Sequence, residues 1–185
     1  MRIVIILFVL FSFSLNAQRN PIGIKVGSNL SNIVGDNTQD VSFSVRPHFG
    51  LYMEILIDDF GAFQPELVYT SYGYTLDAEG KDPNIGLNYL ALTVLSKMFL
   101  FKNFSIDVGP QVGILLSAKD KEDVISNVES DFYNRDFGVN TGISYHISKK
   151  IIASFRYYIG LTDVTVVKTK NFNRSFQIAF QYKIN

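Results

Sequence analysis

The chain has 185 residues, with 17 basic and 17 acidic side chains and no cysteine. Zero net charge provides no basic field to gather nucleic acid, and the missing thiols exclude a disulfide framework, a thiolate metal site and a lipidated N-terminal Cys. Hydrophobic residues make up 47 %, yet mean hydropathy is only +0.14, so the apolar residues are dispersed through the sequence.

At the N-terminus Arg2 precedes an apolar run over residues 3–15 and then Asn16-Ala17-Gln18. This order reads as a secretory signal cleaved after Ala17, with a run too short to serve as a retained membrane anchor. Residues 1–17 are therefore expected to be a signal peptide and residues 18–185 one domain. The most apolar later segment, 87–101, is interrupted by Lys97. No stretch reaches the ~18 uncharged apolar residues of a helical span.

Period-two runs between turn signals predict eight strands, at 22–30, 43–57, 62–75, 87–100, 104–117, 136–147, 151–163 and 173–184. The connections 58–61, 101–103 and 148–150 are tight, whereas 31–42, 76–86, 118–135 and 164–172 are long and polar. Short and long alternate without exception. That is the pattern of an eight-stranded antiparallel up-and-down transmembrane β-barrel with short periplasmic turns and longer outer loops. An even number of strands then leaves both termini periplasmic.

The last strand is the clearest. Phe176, Ile178, Phe180, Tyr182 and Ile184 alternate with Ser175, Gln177, Ala179, Gln181 and Lys183, so one face is greasy and the other polar. The fifth strand sets Ile106, Val108, Pro110, Val112, Ile114 and Leu116 against Ser105, Asp107, Gly109, Gln111, Gly113 and Ser117. In the seventh, Phe155, Tyr157, Ile159 and Leu161 oppose Ser154, Arg156, Tyr158 and Gly160. A soluble lipocalin-like barrel would turn the apolar face inward. Here the second face carries small and charged residues, which suits a narrow polar lumen with lipid outside. Pro47, Pro65 and Pro110 each remove a ladder hydrogen bond and are expected near a bulge or a rim.

Several segments resemble one family of small barrels. They are Gly23-Ile24-Lys25-Val26-Gly27-Ser28-Asn29-Leu30-Ser31, Gln64-Pro65-Glu66-Leu67-Val68-Tyr69, Leu87-Asn88-Tyr89-Leu90, Gly109-Pro110-Gln111-Val112-Gly113, Asp136-Phe137-Gly138 and Arg156-Tyr157-Tyr158-Ile159-Gly160-Leu161-Thr162-Asp163. In order and spacing they are similar to the outer-membrane β-barrel domain family common in Bacteroidetes, whose members include PorT-like proteins, alongside small barrels of the OmpA and OmpX kind. The resemblance implies a barrel and an outer-membrane location, and no reaction. Two positions depart from the family pattern: Ala91 stands where an acidic residue is usual, and the chain closes on Ile184-Asn185 where an aromatic is common. The resemblance therefore implies that Phe180, Tyr182 and Ile184 carry the signal read by the barrel-assembly machinery.

The inward faces gather Lys25, Arg46, Glu54, Glu66, Lys97, Asp107 and Arg156. An eight-stranded lumen is just wide enough to be filled by side chains, and buried ions must pair, so these seven are expected to form a charge network that plugs the barrel. A gated ion path is the functional alternative. The two histidines, His48 and His146, also point inward, with no Ser and Asp at matching depth, so neither a catalytic nor a cofactor site is expected. Asp120, Glu122, Asp123, Glu129 and Asp131 crowd one long loop, and Asp77, Glu79 and Asp82 another, without a calcium-loop pattern. Lys168, Lys170 and Arg174 are candidates for lipopolysaccharide phosphates. The expected role is structural or interactive, through outer loops that meet outer-membrane lipid or an extracellular or secretion partner. A narrow pore or secretion-apparatus component and a lipid-modifying enzyme are the alternatives.

Overall fold

Among the described residues no helix is long and apolar enough to cross a membrane. The computed structural model describes residues 20–36, 41–76, 83–120, 128–166 and 170–185. The proposed signal peptide, Asp77, Glu79, Asp82, Glu122, Asp123 and Lys168 lie outside them, and the side chain of Glu129 is likewise not described.

Eight strands form the wall: β1 (Ile22–Gly35), β2 (Val41–Met53, resuming at Ile55–Leu56), β3 (Gly61–Leu76), β4 (Asn84–Phe101), β5 (Phe104–Asp120), β6 (Arg135–His146), β7 (Ile151–Gly160) and β8 (Asn171–Lys183). Each pairs antiparallel with its chain neighbours. β8 then pairs with β1 in unbroken register from Gly23↔Lys183 to Gly35↔Asn171. That seam closes the sheet into a barrel and leaves no edge strand.

Alternation is kept around the wall. In β8 Phe176, Ile178, Phe180 and Tyr182 are exposed while Asn173, Ser175, Gln177, Ala179 and Gln181 are buried. In β1 Ile24, Val26 and Leu30 face out, and Lys25, Asn29 and Ser31 face in. Polar atoms thus fill the inside and an apolar band covers the outside, the reverse of a soluble barrel.

Most strands overrun the predicted boundaries on the long-loop side. β1 reaches Gly35, β4 begins at Asn84 and β5 extends to Asp120, because hairpin rungs continue past the point where lipid demands apolar alternation. β7 behaves oppositely. It stops at Gly160 rather than 163, since the N–H groups of Leu161 and Thr162 turn back to donate to Phe137 O at 2.7 and 3.3 Å.

The predicted inward position of Ser117 is corrected by a bulge. Asn88 pairs with Ser117 but Tyr89 pairs with Leu115, so Leu116 is an extra residue and the parity inverts beyond it. Ala118 and Asp120 become the buried positions. Ser117 is only half-buried and accepts a hydrogen bond from Asn88 Nδ2 at 3.0 Å. Pro47 does lie in a bulge, where β2 and β3 shift register between Phe43 and His48. Pro65 and Pro110 occupy neither a bulge nor a rim. Pro65 lies in the gap of the β2–β3 ladder between Tyr52↔Glu66 and Ile55↔Phe63, and Pro110 faces the gap in the β4–β5 ladder between Thr93 and Ser96. A missing N–H is tolerated where its ladder is already interrupted.

Ile178, 58 % exposed at the middle of β8, should sit deep in hydrocarbon. Replacing Ile178 by Arg is expected to lower the stability of the barrel in lipid by about 2–4 kcal/mol, read from urea unfolding in liposomes.

Candidate functional site

Alternation delivers the inward side chains of eight strands to one axis, where they form layers from the short turns to the long loops. Nearest the short turns, Glu54 accepts from Lys97 Nζ at 3.1 Å and from Lys183 Nζ at 2.8 Å. His146 stands beside this layer, its ring 5.9 Å from that of Phe99 in an edge contact.

The next layer is built on Glu66. Its carboxylate accepts from Lys25 Nζ at 2.9 Å, from Arg156 Nη1 at 2.8 and 3.0 Å, and from Gln64 Nε2 at 2.6 Å. Arg156 Nη2 also lies 3.5 Å from Asp107, whose oxygens accept from Ser105 at 2.8 Å and Ser144 at 2.5 Å. Gln64 ties the two layers together. Its Oε1 accepts from Lys97 at 2.9 Å while its Nε2 donates to Glu66 and, at 3.1 Å, to Gln181. Lys25, Glu66, Lys97, Asp107 and Arg156 are each no more than 2 % exposed.

Above the ions the lumen is filled by tyrosine. Tyr72 stacks on Tyr158 at 5.0 Å and lies 5.8 Å from Tyr89. Its hydroxyl accepts from Gln111 Nε2 at 2.8 Å and Gln177 Nε2 at 3.4 Å. Gly138 makes space for this stack, since a Cβ there would fall 2.5 Å from Tyr158 Oη. Ile85, Leu87, Ala118 and Phe132 complete an apolar cluster with the tyrosines. Phe132 arrives from the loop after β5 and is pinned by an isolated bridge to Thr165 in the loop after β7. Tyr133 N–H donates to Val164 O and Val166 N–H to Asp131 O, both at 2.9 Å. In that same loop desolvation raises the Asp163 carboxyl, but hydrogen bonds from Asn171 and Thr165 together with the charge of Lys170 outweigh it and hold the group below the usual carboxylate range.

The seven charges predicted to line the lumen are all buried. Six fall into the two ion-paired layers just described, and Arg46 stands apart near the outer end, bonded to Asn84. Both histidines are inward. His48 Nδ1 is 3.1 Å from Thr70 Oγ1, and neither ring makes a hydrogen bond to a serine or aspartate. Among the described residues no group of three or more His, Asp or Glu is arranged to hold a metal. Ala91 is buried in the β4 wall, opposite Val68 and Gly113. Lys170 N–H donates to Asp36 Oδ2 at 3.1 Å, and Arg174 Nη1 donates to Gly160 O at 2.5 Å. Sequence reasoning missed Tyr72, Tyr89 and Phe132. The first two were findable from inward parity, whereas Phe132 lies in a loop without periodicity.

Residues 16–166 match the outer membrane protein beta-barrel domain family. The chain belongs to that family. Membership and the apolar outer band imply a place in the bacterial outer membrane. Among solved structures the barrel is similar to neisserial surface protein A, NspA, with TM-score 0.63 at 12 % identity, over 88 % of this chain and 97 % of that one. It is also similar to Ail, the attachment invasion locus protein of Yersinia pestis, with TM-score 0.52 at 8 % identity, over 89 % and 99 %. These likenesses concern the fold. No curated protein matches the chain in sequence.

Glu66 is the single anion shared by Lys25 and the Nη1 of Arg156. Glu66→Gln should leave buried cations uncompensated and destabilise the barrel by about 3–5 kcal/mol, measured as a drop in the urea midpoint of refolded protein.

Proposed function

We propose that the protein is a small outer-membrane barrel with a plugged lumen, acting as a structural or interaction protein through its outer loops. The observation that carries this reading is the filling of the interior: two ion-paired layers, a tyrosine stack and Phe132 follow one another along the axis. An eight-stranded barrel has room for side chains and little else.

The finer parts of the reading rest on the sequence. The N-terminal signal and the resemblance to PorT-like barrels of Bacteroidetes favour export and assembly from the periplasm, with both termini and the short turns on that side. Phe180, Tyr182 and Ile184, all exposed on the lipid face of the closing strand and its end, are the residues we assign to recognition by the barrel-assembly machinery. Of the lysines and arginine suited to lipopolysaccharide phosphates, Lys170 is exposed at the long-loop end, Arg174 is half-buried beside it and Lys168 lies outside the described residues. NspA is named as a surface protein and Ail for attachment and invasion, which favours a role at the cell surface. A lipid-modifying activity is not favoured, because neither histidine meets a serine and an aspartate.

Single-channel recording in planar bilayers tests the plug. The wild-type protein should show no discrete conductance, and a Tyr72→Ala/Tyr158→Ala double variant should stay closed too because the ion-paired layers remain. Regular conductance steps from the wild type would instead establish a pore.

A further inference from the structure

The outward wall carries a groove at the short-turn end of the closing seam. It is lined by the side chains of Ile24, Val26, Ile147, Ile151, Phe180 and Tyr182 and holds about 440 Å³. Strand register assembles it. Tyr182 stands between Ile24 on β1 and Ile151 on β7, and Val26 pairs with Phe180 one outward position further along.

The β6–β7 turn flanks the groove and brings charge to it. Lys149 and Lys150 are both exposed in that turn. The Ser148 hydroxyl accepts from the N–H groups of Lys150 and Ile151 at 3.2 and 3.1 Å, and Lys183 N–H donates to Lys150 O at 2.8 Å, so the turn is pinned against β8. Lys150 Nζ lies 5.8 Å from the centre of the Tyr182 ring, which places its ammonium at the head of the groove. The Lys183 ammonium is instead taken by Glu54, 2.8 Å away. Hydrocarbon tails are as apolar as the lining side chains, so apolar contact selects no particular lipid. Two lysines at the interface do select, through the charge of the headgroup.

We infer that this groove seats an acyl chain of an anionic phospholipid whose phosphate rests on Lys149 and Lys150. The occupant is a bilayer lipid because the groove is continuous with the exposed apolar band, where Phe155 and Ile178 come next along β7 and β8, and because the charges that the turn presents are both basic. Phosphatidylethanolamine would bring an ammonium against the lysines, whereas phosphatidylglycerol brings none. In the proposed orientation the lipid belongs to the leaflet opposite the lipopolysaccharide. The site needs a wall that faces lipid, and neither a plugged lumen nor binding by the outer loops, so it stands or falls apart from the proposed function.

The test reconstitutes refolded protein in bilayers of equal parts phosphatidylglycerol and phosphatidylcholine, and native mass spectrometry reads the lipid retained after release into detergent. The wild-type barrel should keep one phosphatidylglycerol in about tenfold preference to phosphatidylcholine. Lys149→Gln/Lys150→Gln should lose that preference, while its mobility on unboiled gels shows that the barrel is still folded. Val26→Trp fills the groove and leaves both lysines, so it should release the lipid as well; full retention there would reduce the effect to diffuse attraction and overturn the seat. Lys170→Gln, at the other end of the barrel, should leave the preference unchanged, and an equal loss there overturns the assignment to this turn. Equal retention of the two lipids by the wild type, or full preference in the double-lysine variant, overturns the site.

Discussion

Hydrocarbon offers no partner to a backbone N–H or C=O, so a strand that crosses a membrane must find every hydrogen bond on a neighbouring strand. The β1–β8 seam is where this chain meets that requirement, and much else follows from it. Closure by consecutive antiparallel pairing forces connections to alternate between the two ends of the barrel. It also confines the prolines. Pro47, Pro65 and Pro110 stand where the ladder is shifted or already broken on one side, so each missing donor falls where no regular rung is lost.

Closing eight strands sets a narrow interior lined by polar side chains, unlike a soluble core. The inward positions are therefore filled by groups that satisfy one another. Glu66 works because three donors converge on it, and Gln64 works because its amide donates with one end and accepts with the other. Tyrosine suits the layer above for the same reason: the ring fills volume while the hydroxyl of Tyr72 accepts from two glutamines. Small inward residues are the complement of these large ones, as Gly138 is to Tyr158.

The fold was legible because lipid and lumen impose opposite chemistry on successive residues, which is why β8 can be read directly from Phe176 to Tyr182. Strand ends were less so, since rungs near the long loops need hydrogen bonds but not apolar side chains. The extra residue at Leu116 leaves no mark in the alternation that precedes it, and Ser117 was assigned to the wrong face as a result. Inward charges could be named from parity, but their partners could not. Parity fixes the face of a residue, whereas pairing depends on depth, and depth depends on the stagger between strands. That is why Arg46 grouped with the other six in sequence yet sits apart from them in space.

The same constraints bear on where function can reside. Outward positions are committed to lipid, and most inward positions to hydrogen bonds with other inward side chains, so a change on either face is felt as stability. Two regions escape this double commitment. One is the set of long connections, whose composition the wall does not dictate beyond anchors such as Phe132 and Thr165. The other is the outer end of the lumen, where Arg46 packs against Gly73 and Gly86 and, among the described residues, bonds to Asn84. Both regions lie at the same end of the barrel. A chain whose walls are occupied by folding keeps its chemical freedom there, which is where the proposed interaction role would have to act.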